Sequence, residues 1–138
     1  MVENHKMVVE NSGLLSVAAL RQLDVKDKKV VCILSGGNMD VITMSSVVSQ
    51  GLILRDRIFT VSVLLPDKPG QLSKVADVIA RQNGNVIKLE HNQFVSINRN
   101  AAVELRITLE AFGTEHKNAI IDALEKEGYR PKVVKTNI

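Results

Sequence analysis

The feature that most constrains this chain is a strict alternation of apolar and polar side chains close to its C-terminal end. Residues 103–110 read Val-Glu-Leu-Arg-Ile-Thr-Leu-Glu, with an apolar side chain at every second position. Successive side chains of a strand point to opposite faces of its sheet, so this stretch predicts a strand with one buried and one solvated face. Sheets with one solvated face are typically antiparallel.

The rest of residues 58–138 predicts three further strands and two amphipathic helices. Alternation indicates one face formed by Phe59, Val61, Val63 and Leu65 in the first strand and by Ile87, Leu89 and His91 in the second. Helical spacing of apolar residues indicates the helices through Leu72, Val75, Ala76 and Ile79, and through Ile120, Ile121 and Leu124. We expect Gly84 and Gly128 to end the helices, Thr114 to cap the second, and residues 129–135 to form the last strand.

The predicted order of elements is βαββαβ, which is the ferredoxin-like α+β fold with one antiparallel sheet and both helices on a single face. The first and third strands are then central, and the last lies at an edge, where Pro131 is tolerated. The second strand, residues 85–94, lies at the opposite edge, before a loop rich in Asn and Ser. It is long, with few prolines or bulge signals, and such an uncovered edge recruits another strand. We therefore predict a homodimer through residues 58–138.

Residues 1–57 show a different pattern, which predicts a helix, a strand and a helix. The first helix is expected to begin after Asn11 or Ser12, both good N-caps, and to continue to Leu23. The second helix is expected to begin after Asn38 and to end near Gly51.

Between these two helices, residues 29–34 form an apolar run that does not alternate. Continuous hydrophobicity is typical of a parallel strand covered on both faces. A single strand cannot make a two-layer core, so residues 1–57 have the pattern of a fragment of a larger α/β domain. We therefore predict two domains, residues 1–57 and 58–138, with residues 52–57 as a charged linker.

The composition narrows the classes of function. The 45% hydrophobic and 24% charged content is that of a soluble globular protein. The net charge is +3, the basic residues are spread along the chain and aromatic residues are few, so nothing predicts a nucleic-acid surface. The apolar runs are too short for a membrane span, and the N-terminus does not resemble a signal peptide. The single Cys32 excludes an internal disulfide and fits the reducing cytoplasm.

The strongest candidate for a ligand site is the turn Asp67-Lys68-Pro69-Gly70 between the first strand and helix of residues 58–138. Proline suits a first helical turn, because its missing N–H has no acceptor there, and Gly70 leaves the backbone amides bare. A helix N-terminus favours an anion such as a carboxylate or a phosphate. A simple turn without a ligand is the alternative interpretation.

Other candidate residues give weaker signals. Ser35-Gly36-Gly37-Asn38 is either a phosphate-binding helix start or only a tight strand-to-helix turn, and it lacks the spacing and the Lys of a P-loop. His5, His91 and His116 have no metal-ligand spacing, so no metal site is predicted. His116 is interpreted as a solvated surface residue. His91 shares a strand face with apolar residues and is either half-buried packing or a polar contact at a ligand or dimer interface.

Residues 58–134 resemble an ACT domain, the small-molecule-sensing regulatory module attached to many amino-acid enzymes. The stretches Leu64-Leu65-Pro66-Asp67-Lys68-Pro69-Gly70, Glu90-His91 and Gly113-Thr114-Glu115-His116 resemble the ACT domain of threonine dehydratase in particular. Two earlier stretches, Val9-Glu10-Asn11-Ser12-Gly13 and Val31-Cys32-Ile33-Leu34-Ser35-Gly36-Gly37-Asn38, resemble the end of that enzyme's pyridoxal-phosphate domain.

The resemblance also indicates what the sequence lacks. Family members hold pyridoxal phosphate as a Schiff base on the lysine of a Ser-Phe-Lys motif and cradle its phosphate in a glycine-rich loop, and neither motif occurs here. Ser35 matches the family serine whose hydroxyl meets the pyridine nitrogen of the cofactor. The resemblance therefore implies no cofactor and no threonine ammonia-lyase activity for this chain alone, and pyridoxal phosphate in the complete enzyme.

The function that the resemblance implies is that of a regulatory, amino-acid-sensing region of a threonine dehydratase. An effector amino acid is expected at a dimer interface, where the turn of one subunit faces the second strand of its partner. The expected contacts are Asp67, Pro69, Gly70, Gln71, Leu72, His91 and Asn92. Isoleucine or valine is the first expectation, because Leu65 and Leu72 offer apolar surface; serine, threonine and a nucleotide stay open. The alternatives are part of a catalytic lyase completed by a separate chain that bears the lysine, and a dimerisation module without a ligand.

Overall fold

The computed structural model of the chain describes residues 2–92 and 102–137, so the predicted Asn- and Ser-rich loop after residue 92 lies outside the described residues. Contacts divide the chain into two units, Met1–Val47 and Val48–Ile138. The elements in chain order are α1 (Val2–His5), a 3₁₀ turn (Ser12–Leu14), α2 (Leu15–Leu20), α3 (Val41–Leu54), β1 (Ile58–Pro66), α4 (Gln71–Arg81), β2 (Asn85–Asn92), β3 (Ala102–Glu110), α5 (Thr114–Lys126) and β4 (Lys132–Val134).

The second unit is built on an antiparallel sheet with the strand order β2-β3-β1-β4. The predicted ferredoxin-like fold is confirmed, with the first and third strands central and the second and last at the edges. The register pairs Val61 with Ile107 and Val63 with Leu105. Paired residues share a face of the sheet, so the apolar sets of the two central strands form one continuous surface.

The core lies between this apolar surface and the two helices α4 and α5. Its buried residues are Phe59, Val61, Val63, Leu65, Val75, Val78, Ile79, Leu105, Ile107, Leu109, Ala111, Ile120 and Leu124. The apolar alternation predicted for the central strands is therefore confirmed. Their opposite face was predicted to be solvated, and this was wrong in part, because Thr60, Ser62 and Thr108 are also buried. The predicted inward set of α4 was wrong in two residues: Ala76 is exposed and Leu72 is 42% exposed, while Val78 is buried. Val75, Val78 and Ile79 form the i, i+3, i+4 stripe that faces the sheet.

The ends of α4 and α5 share one backbone motif. Gly128 is left-handed with φ +87° and ends α5 as predicted, and the amide of Tyr129 donates to the carbonyl of Leu124 at 3.1 Å. At the end of α4 the left-handed residue is Asn83, with φ +57°, rather than the predicted Gly84. Gly84 meets a steric requirement instead, because a Cβ there would lie 2.8 Å from the side chain of Ile79.

Three further predictions for the second unit need correction. Thr114 does not cap α5; Gly113 is the N-cap, and the Thr114 hydroxyl donates to Asp56 instead. β4 spans only Lys132–Val134, so Pro131 precedes the strand rather than lying within it. β2 contains a bulge, a register shift between Val86 and Lys88 that no Gly or Pro in the strand indicated. Val86, which pairs with Leu109, therefore shares a face with Leu89 and His91 in place of the predicted Ile87. The predicted residues 93–94 lie outside the described residues.

In the first unit, the strand predicted at residues 29–34 does not form. Val31 and Ile33 are 90% and 76% exposed, which is the opposite of a strand covered on both faces. Two contacts with Ser16 of α2 hold the segment. The Ser16 hydroxyl donates to the carbonyl of Ile33 at 2.9 Å, and Cys32 Sγ lies 3.7 Å from the carbonyl of Ser16. The apolar run carries the pattern of a strand, but the first unit offers no neighbouring strand to pair with it among its described residues.

The helices within residues 1–57 are also shorter or shifted relative to their predicted limits. α2 ends at Leu20 rather than Leu23, and Asn11 makes no side-chain capping bond. α3 is capped by Asp40 rather than Asn38. The Asp40 carboxylate accepts a hydrogen bond from the amide of Thr43 at 2.9 Å and another from the Thr43 hydroxyl. Both bonds lower the pKa of Asp40, the one from the hydroxyl most. α3 also continues past Gly51 to Leu54, so the segment between α3 and β1 is residues 55–57 rather than 52–57.

Candidate functional site

The turn between β1 and α4 forms one wall of a small pocket. The cavity measures about 90 Å³, and its turn wall is made by residues 65–68 and 70–72. His91 of β2 lies on the opposite side, and Val103 and Leu105 of β3 form the floor. Strand pairing explains the assembly, because Leu65 is the register partner of Val103 and His91 that of Leu105.

Gly70 gives the turn its geometry. It is the N-cap of α4 with φ +84°, a left-handed conformation that glycine adopts without steric cost, and a Cβ at this position would meet open space. The amide of Gln71 reaches the carbonyl of Lys68 only at 3.5 Å. Because the first amides of any α-helix lack intrahelical acceptors, the start of α4 presents N–H donors to a negatively charged group.

The pocket combines charged groups with an apolar floor. Asp67, Lys68 and His91 supply a carboxylate, an ammonium group and an imidazole, while Val103 and Leu105 are buried apolar side chains. This combination suits a small molecule that carries both a charged end and an aliphatic part.

Five of the predicted effector contacts are brought together in this pocket: Asp67, Gly70, Gln71, Leu72 and His91. His91 is exposed rather than half-buried. Pro69 is exposed in the turn and is not among the residues that line the cavity. Asn92 pairs with Glu104 on the other face of the sheet, so it does not line the cavity either.

Sequence reasoning missed Pro66, Lys68, Val103 and Leu105 as pocket residues. Val103 and Leu105 were predicted to be core residues, and only the register of β3 against β1 and β2 shows that they also floor a cavity. For Lys68 the signal was present, since it lies inside the turn that was singled out.

The two stretches that resemble a pyridoxal-phosphate domain meet in the first unit. The amide of Glu10 donates to the carbonyl of Gly36 at 3.2 Å, and a Cβ on Gly13 would lie 1.6 Å from the carbonyl oxygen of Ser35. Ser35 itself is exposed. One exposed hydroxyl without a phosphate cradle or a Schiff-base lysine does not fit pyridoxal phosphate, so no chemical step through this cofactor is assigned to the chain.

The remaining histidine prediction needs correction. His116 is half-buried rather than solvated. Its Nδ1 accepts a hydrogen bond from the amide of Phe112, and its Nε2 lies 2.5 Å from the carbonyl of Gln82. Among residues 2–92 and 102–137, no group of three or more His, Cys, Asp and Glu side chains is placed to hold a metal ion. In that same part of the chain, no helix has the length and apolar character needed to cross a membrane.

The sheet order, the two helices on one face and the pocket at the first strand-to-helix turn define a small ferredoxin-like α+β domain. The model of the ACT domain family matches residues 59–128. The chain belongs to this family.

Two curated relatives match nearly the whole chain. The L-threonine ammonia-lyase of Geobacter sulfurreducens is 37% identical over 98% of this chain, and that of Thermotoga maritima is 31% identical over 97%. The chain covers only 34% of the length of each relative and corresponds to a C-terminal part of them. Among solved structures, the ACT domain of prephenate dehydrogenase from Bacillus anthracis is similar at 23% identity with a TM-score of 0.41, covering 53% of this chain and 99% of that one.

Proposed function

We propose that this chain is the amino-acid-sensing regulatory region of a threonine dehydratase, the enzyme that converts threonine to 2-oxobutanoate and ammonia. Homology to L-threonine ammonia-lyases over nearly the whole chain supports the enzyme class, and the ACT domain supports a regulatory role. The observation that carries the proposal is the pocket, which joins a helix N-terminus, charged groups and an apolar floor.

The proposed effector is a free amino acid with a branched aliphatic side chain, isoleucine or valine. Its carboxylate would accept hydrogen bonds from amides at the start of α4, near Gly70 and Gln71. Its ammonium group would meet Asp67 or carbonyls around His91. Its side chain would pack on Leu65 and Leu72 and on the apolar floor. Feedback by the end product of isoleucine biosynthesis fits such a ligand.

The proposed site is completed by a second copy of the chain. A cavity of about 90 Å³ is small beside the roughly 300 Å³ or more of ligand pockets in general, so another surface is needed to enclose the effector. β2 is an edge strand whose residues are largely exposed, and its His91 already lines the cavity. Pairing of two β2 edges would place the turn of one subunit beside the strand of its partner.

Catalysis and cofactor binding are proposed for the longer enzyme. Pyridoxal phosphate would supply its electron sink there, and Ser35 would contact the pyridine nitrogen only when the rest of the catalytic domain is present. We also infer a cytoplasmic location, which the homology to these metabolic enzymes supports.

Isothermal titration of the chain with isoleucine, valine, serine and threonine tests the proposal. We expect saturable binding of a branched aliphatic amino acid, and at least a tenfold loss of affinity in Gly70→Val, because a β-branched side chain would cover the amides at the start of α4. Gly128→Val is the matched control: Gly128 also has a left-handed φ of +87° and open space at its Cβ position, so both variants carry the same backbone penalty of about 1–2 kcal/mol.

Equal affinity in wild type, Gly70→Val and Gly128→Val would place the site elsewhere. No heat from any amino acid, with a stable dimer in solution, would favour the dimerisation module without a ligand. Restoration of lyase activity by a separate chain that bears the Schiff-base lysine would favour the split catalytic enzyme.

A further inference from the structure

The first turn of α5 connects two segments that are far apart in the sequence. The Thr114 hydroxyl and Lys117 Nζ donate to the two carboxylate oxygens of Asp56 at 2.8 and 2.6 Å, which fixes the junction of residues 55–57 to α5. From the same turn, His116 Nε2 lies 2.5 Å from the carbonyl of Gln82, the C-cap of α4. α5 thus holds both the junction and the C-terminal end of α4.

The bonds of His116 have a defined direction. The backbone N–H of Phe112 donates to Nδ1 at 3.1 Å, so Nδ1 is an acceptor and Nε2 carries the ring hydrogen of the neutral side chain. Nε2–H then donates to the carbonyl of Gln82. The ring also stacks on Phe112, with centroids 5.0 Å apart, which fixes its orientation. The ring therefore joins Phe112 to the end of α4 through one accepted and one donated hydrogen bond.

Asp56 is held on its other side by α3. Its amide donates to the carbonyl of Ile53 at 3.0 Å, and the amide of Arg57 donates to the carbonyl of Leu52 at 2.9 Å, both in the last turn of α3. The side chains of Asp56 and Lys117 are 24% and 18% exposed, so solvent screens their ion pair only in part. The last turn of α3, the junction and the first turn of α5 are therefore linked by directed bonds.

We propose that α4, His116 and Asp56 form a route along which occupation of the pocket is transmitted to the end of α3. α4 begins at the pocket wall, where Gln71 and Leu72 line the cavity, and ends at the carbonyl that His116 binds. A helix of this length is a stiff element of about 16 Å, so a shift at one end moves the other. The proposal rests on the proposed function for the ligand, whereas the clamp of α5 on the junction and on α4 does not.

Amide hydrogen exchange, measured by mass spectrometry on the whole chain, tests the route. The variants are Asp56→Asn, which removes the charge and one of the two acceptor oxygens of the clamp, and His116→Leu, which removes both ring hydrogen bonds. His116→Gln keeps a side-chain N–H donor. Asp77→Asn is the control, because it removes an exposed carboxylate that pairs with Arg81 within α4. Residues 55–57 report on the junction, residues 82–84 report on the end of α4, and β3 reports on the core. Each protein is measured without an amino acid and with L-isoleucine or L-valine.

Without an amino acid, we expect an increase in exchange rate of about tenfold, with β3 unchanged, at the junction in Asp56→Asn and at residues 82–84 in His116→Leu. His116→Gln should retain most of the protection, and Asp77→Asn should match the wild type. With the amino acid, junction exchange should slow in the wild type and in Asp77→Asn. It should not slow in Asp56→Asn or His116→Leu, although both still bind the amino acid with an affinity within about threefold of wild type.

Wild-type exchange at the junction in Asp56→Asn, or at residues 82–84 in His116→Leu, would overturn the proposal. A rise that includes β3 equally would also overturn it, since that indicates general destabilisation. Retained slowing by the amino acid in the clamp variants would also overturn it. If neither amino acid binds the wild type, the proposed function fails separately, and the comparison without an amino acid still decides the clamp.

Discussion

Asp56 is a carboxylate that stabilises a connection rather than a helix or a strand. It lies in the three-residue junction before β1, and its backbone has φ +53°, an unusual value for a residue other than glycine. Hydrogen bonds from Lys117 and then from Thr114 lower the pKa of its carboxyl group. Lys117 also lies 5.7 Å from the centre of the Phe59 ring, so the charge pair is tied to the core.

The lowered pKa of Asp56 predicts a pH-dependent contribution to stability. A group whose pKa falls on folding stabilises the protein above its unfolded pKa, about 3.9 for Asp, and loses that contribution as the pH falls through the folded pKa. We expect Asp56→Asn to lower the free energy of unfolding by about 0.5–1 kcal/mol at pH 7, and the difference to shrink below about pH 4.

Urea denaturation of wild type and variant between pH 7 and pH 3 measures this difference, with the exposed Asp77→Asn as the control that changes stability by less than about 0.5 kcal/mol. A difference between wild type and Asp56→Asn that stays constant down to pH 3 would show that the ionised carboxylate is not the stabilising group.

Helix caps were the residues least accessible to sequence reasoning. Asn38 and Asp40 are both suitable N-cap residues and lie two positions apart. Only the structure shows that the Asp40 carboxylate accepts the hydrogen bond from the amide of Thr43. Asn83 and Gly84 present the same ambiguity at the end of α4. At the start of α4 the proline was predicted to lie in the first helical turn, and this was wrong, because Gly70 is the N-cap and Pro69 precedes it.

No residue of β2 is buried: seven of its eight residues are exposed, and Glu90 is half-buried. The strand forms an edge of the sheet, and Leu89 and Val86 on its apolar face are 42% and 39% exposed. The bulge after Val86 disturbs the start of the strand, while Lys88–Asn92 pair regularly with β3. The regular part is therefore the part suited to pairing with a second β2.

This edge predicts the effect of one charged substitution. Leu89→Lys should convert the proposed dimer to a monomer at tens of micromolar, because an edge lysine disfavours strand pairing. Val133→Lys is the matched control: Val133 lies on the other edge, its register partner Val61 is a core residue, and it is 53% exposed. Light scattering distinguishes one chain of 15.2 kDa from twice that mass. A wild-type monomer, or a dimer that only Val133→Lys breaks, would exclude β2 as the interface.

The contrast between the two units shows which elements a sequence pattern can predict. In residues 58–138 the apolar faces of strands and helices meet one another within the chain, so periodicity alone gave the element order and the sheet. Residues 29–34 have an equally strong pattern, but β pairing is a property of two strands, and the run stays irregular with Val31 exposed. The pocket was partly predictable for the same reason: its turn is local in the sequence, whereas its floor depends on the register of β3.

At the scale of the whole molecule, the chain is about a third of the length of its L-threonine ammonia-lyase relatives. We expect no release of 2-oxobutanoate when the purified chain is incubated with threonine and pyridoxal phosphate, because no Ser-Phe-Lys lysine is present to act as the nucleophile. The L-threonine ammonia-lyase of Geobacter sulfurreducens serves as the positive control. Product above a no-protein blank would show that another residue supplies the chemistry.

The central claim is that the turn before α4 binds an amino acid, and a titration followed by two-dimensional ¹H–¹⁵N NMR tests it most directly. With L-isoleucine or L-valine, we predict saturable shifts that concentrate on the amides of Gly70, Gln71, Leu72 and His91. Smaller shifts should follow in α4, and residues 29–34 of the first unit should be unaffected. Shifts confined to the first unit, or no shift at millimolar amino acid, would contradict the account.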